Sequence, residues 1–222
     1  VYDISGTVGG PIRTDRVWYF ATAHTGGSTK ESARVYYNLN AADPAKWLYD
    51  PDPNRRAYSD RTFENASARV TWQLTPRNRV TGFWDAQSVC RQCTGATPGT
   101  PEPPQVSPEA TGVLGRRLDI AQATWSSPVT SRVLVEAGFA STVYGNGNFE
   151  RTPNPTRDLI RVAEQCASGC AANGGIAGLV YRSQDFSDAY SGSYLWKGSI
   201  TRVTGTHSFK IGCTRRPVDA GA

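Results

Sequence analysis

The sequence predicts an all-β fold, an antiparallel up-and-down arrangement of about eight strands. Three features predict it. Strong helical periodicity is missing along the 222 residues. Apolar and polar residues alternate singly over stretches of strand length. Tight corners alternate in order with long, polar, Gly- and Pro-rich connections.

The alternation is clearest in ASARVTWQLTPRNRVTGFWDAQ, residues 66–87. Ala66, Ala68, Val70, Trp72 and Leu74 fall on one side, and Ser67, Arg69, Thr71 and Gln73 on the other. After a Pro-Arg-Asn corner the pattern resumes, with Val80, Gly82, Trp84 and Ala86 against Thr81, Asp85 and Gln87. Successive side chains of a strand point to opposite faces, so this is a hairpin with one apolar and one polar face.

The other elements follow in order. Val1–Gly9 alternates Tyr2, Ile4, Gly6 and Val8 with Asp3, Ser5 and Thr7, then turns at 10–15. Arg16–Thr25 runs back, but Val17, Trp18, Tyr19 and Phe20 are all apolar and leave its facing undetermined. A first long loop is expected over 26–62, before the hairpin above, and a second over 89–115 with TPGTPEPPQVSPEATG at its centre. Arg117–Trp125 and Arg132–Val143 form a third hairpin about a corner at 126–131. A third loop is expected over 144–190, and Ser191–Thr204 with Ser208–Arg215 form the last hairpin. The tail CTRRPVDAGA from Cys213 is short and unpatterned and is expected to leave the strand repeat.

Most connections in a compact soluble domain are short, and three loops of this length are unusual there. An outer-membrane barrel has them by construction, with short turns on the periplasmic side and long loops outside. Its strands need about 9–11 residues to cross when tilted. No apolar run approaches the roughly 18 residues of a membrane helix; the longest, VWYFATA at 17–23, is far shorter. Trp72, Trp84 and Trp125 lie near tight corners on the apolar side, where a lipid–water boundary would suit a ring with one wet edge. A soluble β-sandwich shares the one-sided pattern, and the loop asymmetry favours the barrel.

The remaining composition narrows the function. A net charge of +5 with dispersed Arg residues shows no basic stripe or nucleic-acid module. Cys90 and Cys93 (CRQC) and Cys166 and Cys170 (CASGC) lie far apart in polar stretches with no His nearby. That spacing fits local loop disulfides in an oxidising compartment better than zinc. The two histidines, His24 and His207, have no nucleophile and acid placed beside them by a recognisable motif, so no enzyme, metal or cofactor is expected. Tyr36, Tyr37, Trp47, Tyr49 and Tyr58, in the first loop, are the candidate ligand-stacking residues.

Four phrases carry a resemblance. DISGTVGGPIRTDRVWYFATAHT, the hairpin at 66–87, QATWSSPVTSRVLVEAGFAS and SYLWKGSITRVTGTHSFKIG together resemble the barrel region of TonB-dependent outer-membrane receptors of the Oar-like group, which carries a carboxypeptidase-regulatory-like domain. The sharpest is Gly9-Gly10-Pro11-Ile12-Arg13-Thr14-Asp15-Arg16-Val17-Trp18-Tyr19-Phe20. The resemblance implies a roughly 22-stranded barrel filled by an N-terminal plug, and uptake of a scarce, bulky ligand driven through TonB. On that expectation residues 1–222 are part of the barrel, with the plug and further strands outside them. The partners would be outer-membrane lipid, TonB, the plug and the transported ligand, and the piece alone would be insoluble without detergent. Two other classes fit less well: a secreted β-sandwich for binding or adhesion, whose apolar face a second sheet would cover, and a complete eight-stranded porin or adhesin.

Overall fold

The computed structural model describes residues 1–41, 43–89, 106–111, 113–149, 159–165, 176, 178–184 and 186–221. The strands are β1 (Tyr2–Arg13), β2 (Val17–Asn38), β3 (Pro51–Thr75), β4 (Asn78–Val89), β5 (Val113–Thr130), β6 (Val133–Phe149), β7 (Val162–Ala163), β8 (Val180–Tyr181), β9 (Ser187–Thr204), β10 (His207–Arg215) and β11 (Val218–Gly221). Nine of them build one antiparallel sheet in the order β1-β2-β3-β4-β5-β6-β9-β10, with β11 also on β9. The sheet does not close: β1 and β10 end its path. β7 and β8 make a separate two-stranded ribbon, and Pro108–Ala110 forms one turn of 3-10 helix.

Neighbouring strands meet at four tight turns on one end of the sheet. Two of them place a residue in the left-handed region, Asp15 (φ 60°) and Gly205 (φ 57°). Asp tolerates that conformation through its short polar side chain, and Gly has no Cβ to clash. At the third, the Thr75 hydroxyl accepts from the Asn78 N–H at 3.1 Å. At the fourth, the Thr130 hydroxyl accepts from the Arg132 N–H at 3.2 Å.

The register places the alternating residues in rungs across the sheet. One rung runs Val17, Trp72, Val80, Trp125, Ala137, Gly198 and Cys213. The next on the same face runs Tyr19, Val70, Gly82, Ala123, Phe139 and Trp196. Two more run through Ala21, Ala68, Trp84 and Ala121, and through Ala23, Ala66 and Ala86. On the turn side, Val135, Ile200 and Ile211 begin the band. From Ile200 to Gly192 along β9 the band spans about 26 Å at roughly 3.3 Å per residue. Polar groups bound it, Arg202 at the turn end and Glu64, Ser88 and Arg117 at the other, and three charged residues fall within its rungs: Arg215 opposite Trp196, Asp119 opposite Ala86, and Asp219 on β11 opposite Gly192. The opposite face carries Ser67, Arg69, Thr71, Gln73, Asp85, Gln87, Gln122, Thr124, Glu136 and Lys197, as the alternation predicts.

β2 resolves its ambiguous facing through these pairings. Tyr19 and Ala21 join the apolar band, while Trp18 and Phe20 stand on the polar face opposite Pro11 and Gly9.

The expected loop bounds need correction. The stretch expected as a loop at 26–62 is mostly ladder: β2 continues to Asn38 and β3 begins at Pro51, leaving a connection over 39–50. β5 begins at Val113, so 89–115 shortens to 90–112. β6 runs to Phe149 and β9 begins at Ser187, so 144–190 shortens to 150–186, with β7 and β8 inside it. Past the apolar band both faces are polar, so hydrophobic alternation fades while the backbone ladder continues. The tail is also corrected. β10 extends to Arg215, and β11 resumes the edge after Pro217, whose carbonyl accepts from the Tyr194 N–H at 3.0 Å. A proline has no N–H for the ladder, and here it marks the break between two segments of one edge.

Among the described residues the buried apolar side chains are Val35, Ala57, Ala110, Leu179, Val180 and Tyr181, all at the loop end. On the apolar band Trp72 is 50% exposed, Trp84 47% and Trp196 56%. Beyond that loop end, where the 3-10 turn meets β2, no described element packs over either face of the sheet.

Candidate functional site

Two regions carry chemistry, the junction of the long connections and the polar face of the sheet. The junction forms around Val35, Ala57, Leu179 and Tyr181, with Tyr49, Val162 and Ile176 against them. The extended β2–β3 pair, the 39–50 connection, the 3-10 turn and the β7–β8 ribbon thereby meet at one place.

A buried carboxylate joins them. Glu109 is 2% exposed. Its Oε1 accepts from Asn38 Nδ2 at 2.8 Å and from the Arg182 N–H at 3.5 Å. Asn38 is itself a hub: its Oδ1 accepts from the N–H groups of Asn40 and Asp50, both at 3.0 Å. The Arg182 guanidinium donates to the carbonyls of Pro44 and Ile160 and lies over the Trp47 ring, with Cζ 3.7 Å from its centroid. Arg suits this position because its planar head stacks and donates at once.

The five predicted stacking aromatics are not brought to one surface. Tyr49 is built into the junction: its hydroxyl donates to the Tyr36 carbonyl at 2.9 Å and accepts from the Tyr36 N–H at 3.1 Å. Burial pushes the Tyr49 phenol up to about 12. Tyr36 meets it through its backbone. Tyr37 holds the Arg55 guanidinium over its ring at 4.1 Å. Tyr58 lies farther down β3, opposite Glu31 on the face that carries the apolar band below. Trp47 is half exposed, with the Arg182 guanidinium over one face of its ring. The partners Glu109 and Arg182 come from connections more than seventy residues away in sequence and carry no local motif.

Cys90, Cys93, Cys166 and Cys170 lie outside the described residues. Cys213 is a free, exposed thiol on the apolar band. His24 makes a 2.7 Å contact with Asp3 and packs its ring edge-on to Phe63 at 4.6 Å. Among the described residues no cluster of three or more metal-ligating side chains forms, and no helix is long and apolar enough to cross a membrane.

The polar face holds its own network. Asp85 is buried and accepts from Asn65 Nδ2 and Gln87 Nε2, both at 2.8 Å. Glu136 accepts from Lys210 Nζ at 2.9 Å and from the Ser199 hydroxyl at 3.2 Å. Arg69 lies over Phe83, with Cζ 5.3 Å from the ring centroid. On the apolar side Trp72, Trp84 and Trp125 share the band as predicted. Trp72 and Trp125 both stand opposite Val80 beside the turns, whereas Trp84, expected near a corner as well, lies two rungs higher in the middle of β4.

No protein-family model, curated protein or solved structure matches this chain.

Proposed function

We propose that the chain is part of a TonB-dependent outer-membrane transporter that takes up a scarce, bulky ligand. One observation carries the membrane part of this reading: an apolar band runs at matched height from β1 to β10, broken only by Asp119 on β5 and Arg215 on β10 among the described residues of those strands, and nothing described covers it. A sheet must bury an apolar face against something. In a sandwich the second layer comes from the chain itself. In a barrel wall, lipid is that layer, and the band stands about 25 Å tall between polar margins.

The rest of the architecture agrees with that reading. The turns are short at one end, and the long connections assemble into a packed junction at the other. A barrel abolishes sheet edges by closure, so the open edges at β1 and β10 call for further strands between them. Transport and coupling to TonB rest on the four sequence phrases, and the junction is the place where a ligand would first be met. Trp47 is its most available aromatic.

Membrane fractionation of the full-length protein in its host tests the reading. We expect it in the outer-membrane fraction, resistant to carbonate extraction, with ligand uptake abolished by deleting TonB. Recovery as a soluble monomer without detergent would overturn the membrane assignment. Outer-membrane residence with TonB-independent uptake would overturn only the energy coupling.

A further inference from the structure

Near the turns, the polar face of β4, β5, β6, β9 and β10 borders a half-open hollow of about 540 Å³. Its charged lining is Arg79, Glu136, Lys197 and Lys210. Hydroxyl groups of Thr81, Thr124, Ser126, Ser199 and Thr214 line it too. The single carboxylate is already spoken for: Glu136 pairs with Lys210 at 2.9 Å. Among the described residues neither Arg79 nor Lys197 forms an ion pair. The hollow therefore carries three cations against one anion.

The placement of Lys197 depends on a glycine. Gly138 is its cross-strand neighbour. A Cβ on Gly138 would sit 2.7 Å from Lys197 Cε and 3.2 Å from Cγ. The bare backbone lets the lysine stem lie flat across β6 instead of standing away from the sheet. Arg79 stands on the neighbouring rung at the far side of the hollow: Arg79, Ser126, Glu136 and Ser199 are successive cross-strand partners, and the next rung on that face runs Thr81, Thr124, Gly138 and Lys197.

We infer that this hollow binds a small oxyanion, a carboxylate or phosphate group, between Arg79 and Lys197. A net charge of +2, with the Glu136 carboxylate shared between Lys210 and the nearby Lys197, beside several hydroxyl donors satisfies the charge and the remaining lone pairs of such a group. A cavity of a few hundred Å³ is the size of ordinary small-molecule sites. The hollow lies on the polar face, so the site does not depend on which medium covers the apolar one.

Inorganic phosphate is the probe, titrated calorimetrically into the purified full chain at low ionic strength in detergent. We expect saturable binding that the double variant Arg79→Gln, Lys197→Gln weakens about tenfold or more, the loss of two charge-assisted contacts. Gly138→Ala keeps every charge and is expected to weaken binding several-fold by displacing Lys197. Lys30→Gln, on β2 far from the hollow, is the charge control and should leave binding unchanged. Circular dichroism checks that each variant keeps its strand content, and the single variants stand in if the double one unfolds. The inference is overturned if phosphate fails to saturate, if Lys30→Gln weakens binding as much as the double variant, or if folded Arg79 and Lys197 variants bind like the parent. None of those results touches the membrane assignment, which fractionation decides separately.

Discussion

The indole N–H of Trp125 donates to the side-chain oxygen of Asn78 at 3.1 Å. The ring belongs to the apolar band, and its partner begins β4 just after a solvent-facing turn. One residue thus joins the apolar band to the wet end of the sheet. Buried or half-buried indoles usually find such a partner, which is why Trp collects at apolar–polar boundaries.

Trp125→Phe keeps a ring in the band and removes the bond. We expect a loss of about 1 kcal/mol, the usual net worth of one hydrogen bond. Asn78→Ala should cost a similar amount, and the double variant less than the sum. Denaturant unfolding of the four proteins in detergent measures that coupling.

Charge on the apolar band should be costly in proportion to depth. Val70→Arg places a guanidinium in the middle of the band and is expected to cost about 2–4 kcal/mol in a bilayer. Thr71→Arg, one residue away on the polar face, should cost far less. Equilibrium unfolding from lipid vesicles reads both.

Glu109→Ala removes the group that joins three connections. The Asn38 amide then loses its 2.8 Å acceptor in a buried site, a cost of about 1–3 kcal/mol for an unsatisfied buried donor. The loss falls on the junction and leaves the sheet intact. Limited proteolysis should cut within 39–50 and 159–184 sooner than in the parent, with the strand core equally resistant.

Tyr49 makes the junction sensitive to alkali. Its phenol is raised from 10.0 to about 12, first by burial. A group raised on folding contributes its stability fully below the unfolded value and loses it as pH climbs through the folded one. The junction should therefore loosen between about pH 10 and 12, as ionisation also removes the donor to the Tyr36 carbonyl. Ultraviolet titration of phenolate absorbance should show a late-titrating tyrosine that disappears in Tyr49→Phe.

The sheet was legible wherever one face had to be apolar. In β1, β3, β4 and β6 the single-residue alternation assigned the faces that the register shows, from Tyr2 against Asp3 to Phe139 against Gly138. In β5 it holds from Ala121 to Trp125 but breaks before it, where Leu118 and Ile120 stand on the polar face and Asp119 on the apolar one. It failed where that demand lapses. Gly26–Thr29 pairs with Asp60–Phe63, yet neither face there is consistently apolar, so the stretch resembles a loop in sequence. Trp18 and Phe20 blurred β2 because they put aromatic bulk on the polar face. The junction was least legible. Val35 meets Leu179, and Asn38 meets Glu109, through contacts that no local spacing encodes. Tyr49 and Tyr36 were visible as loop aromatics, but their mutual hydrogen bonds depend on how the 39–50 connection closes.

The most direct test of the lipid-facing band is a nitroxide scan along β3. Single cysteines from Ala66 to Trp72, in a background with the native cysteines replaced by serine, are spin-labelled in the reconstituted full-length protein. Collisions with oxygen, which concentrates in lipid, and with a water-soluble nickel chelate are then compared. A lipid-facing band predicts a two-residue oscillation, with oxygen dominant at 66, 68, 70 and 72 and nickel relatively favoured at 67, 69 and 71. Nickel access at the even positions equal to that at the odd ones would contradict it and place the band in water or against protein.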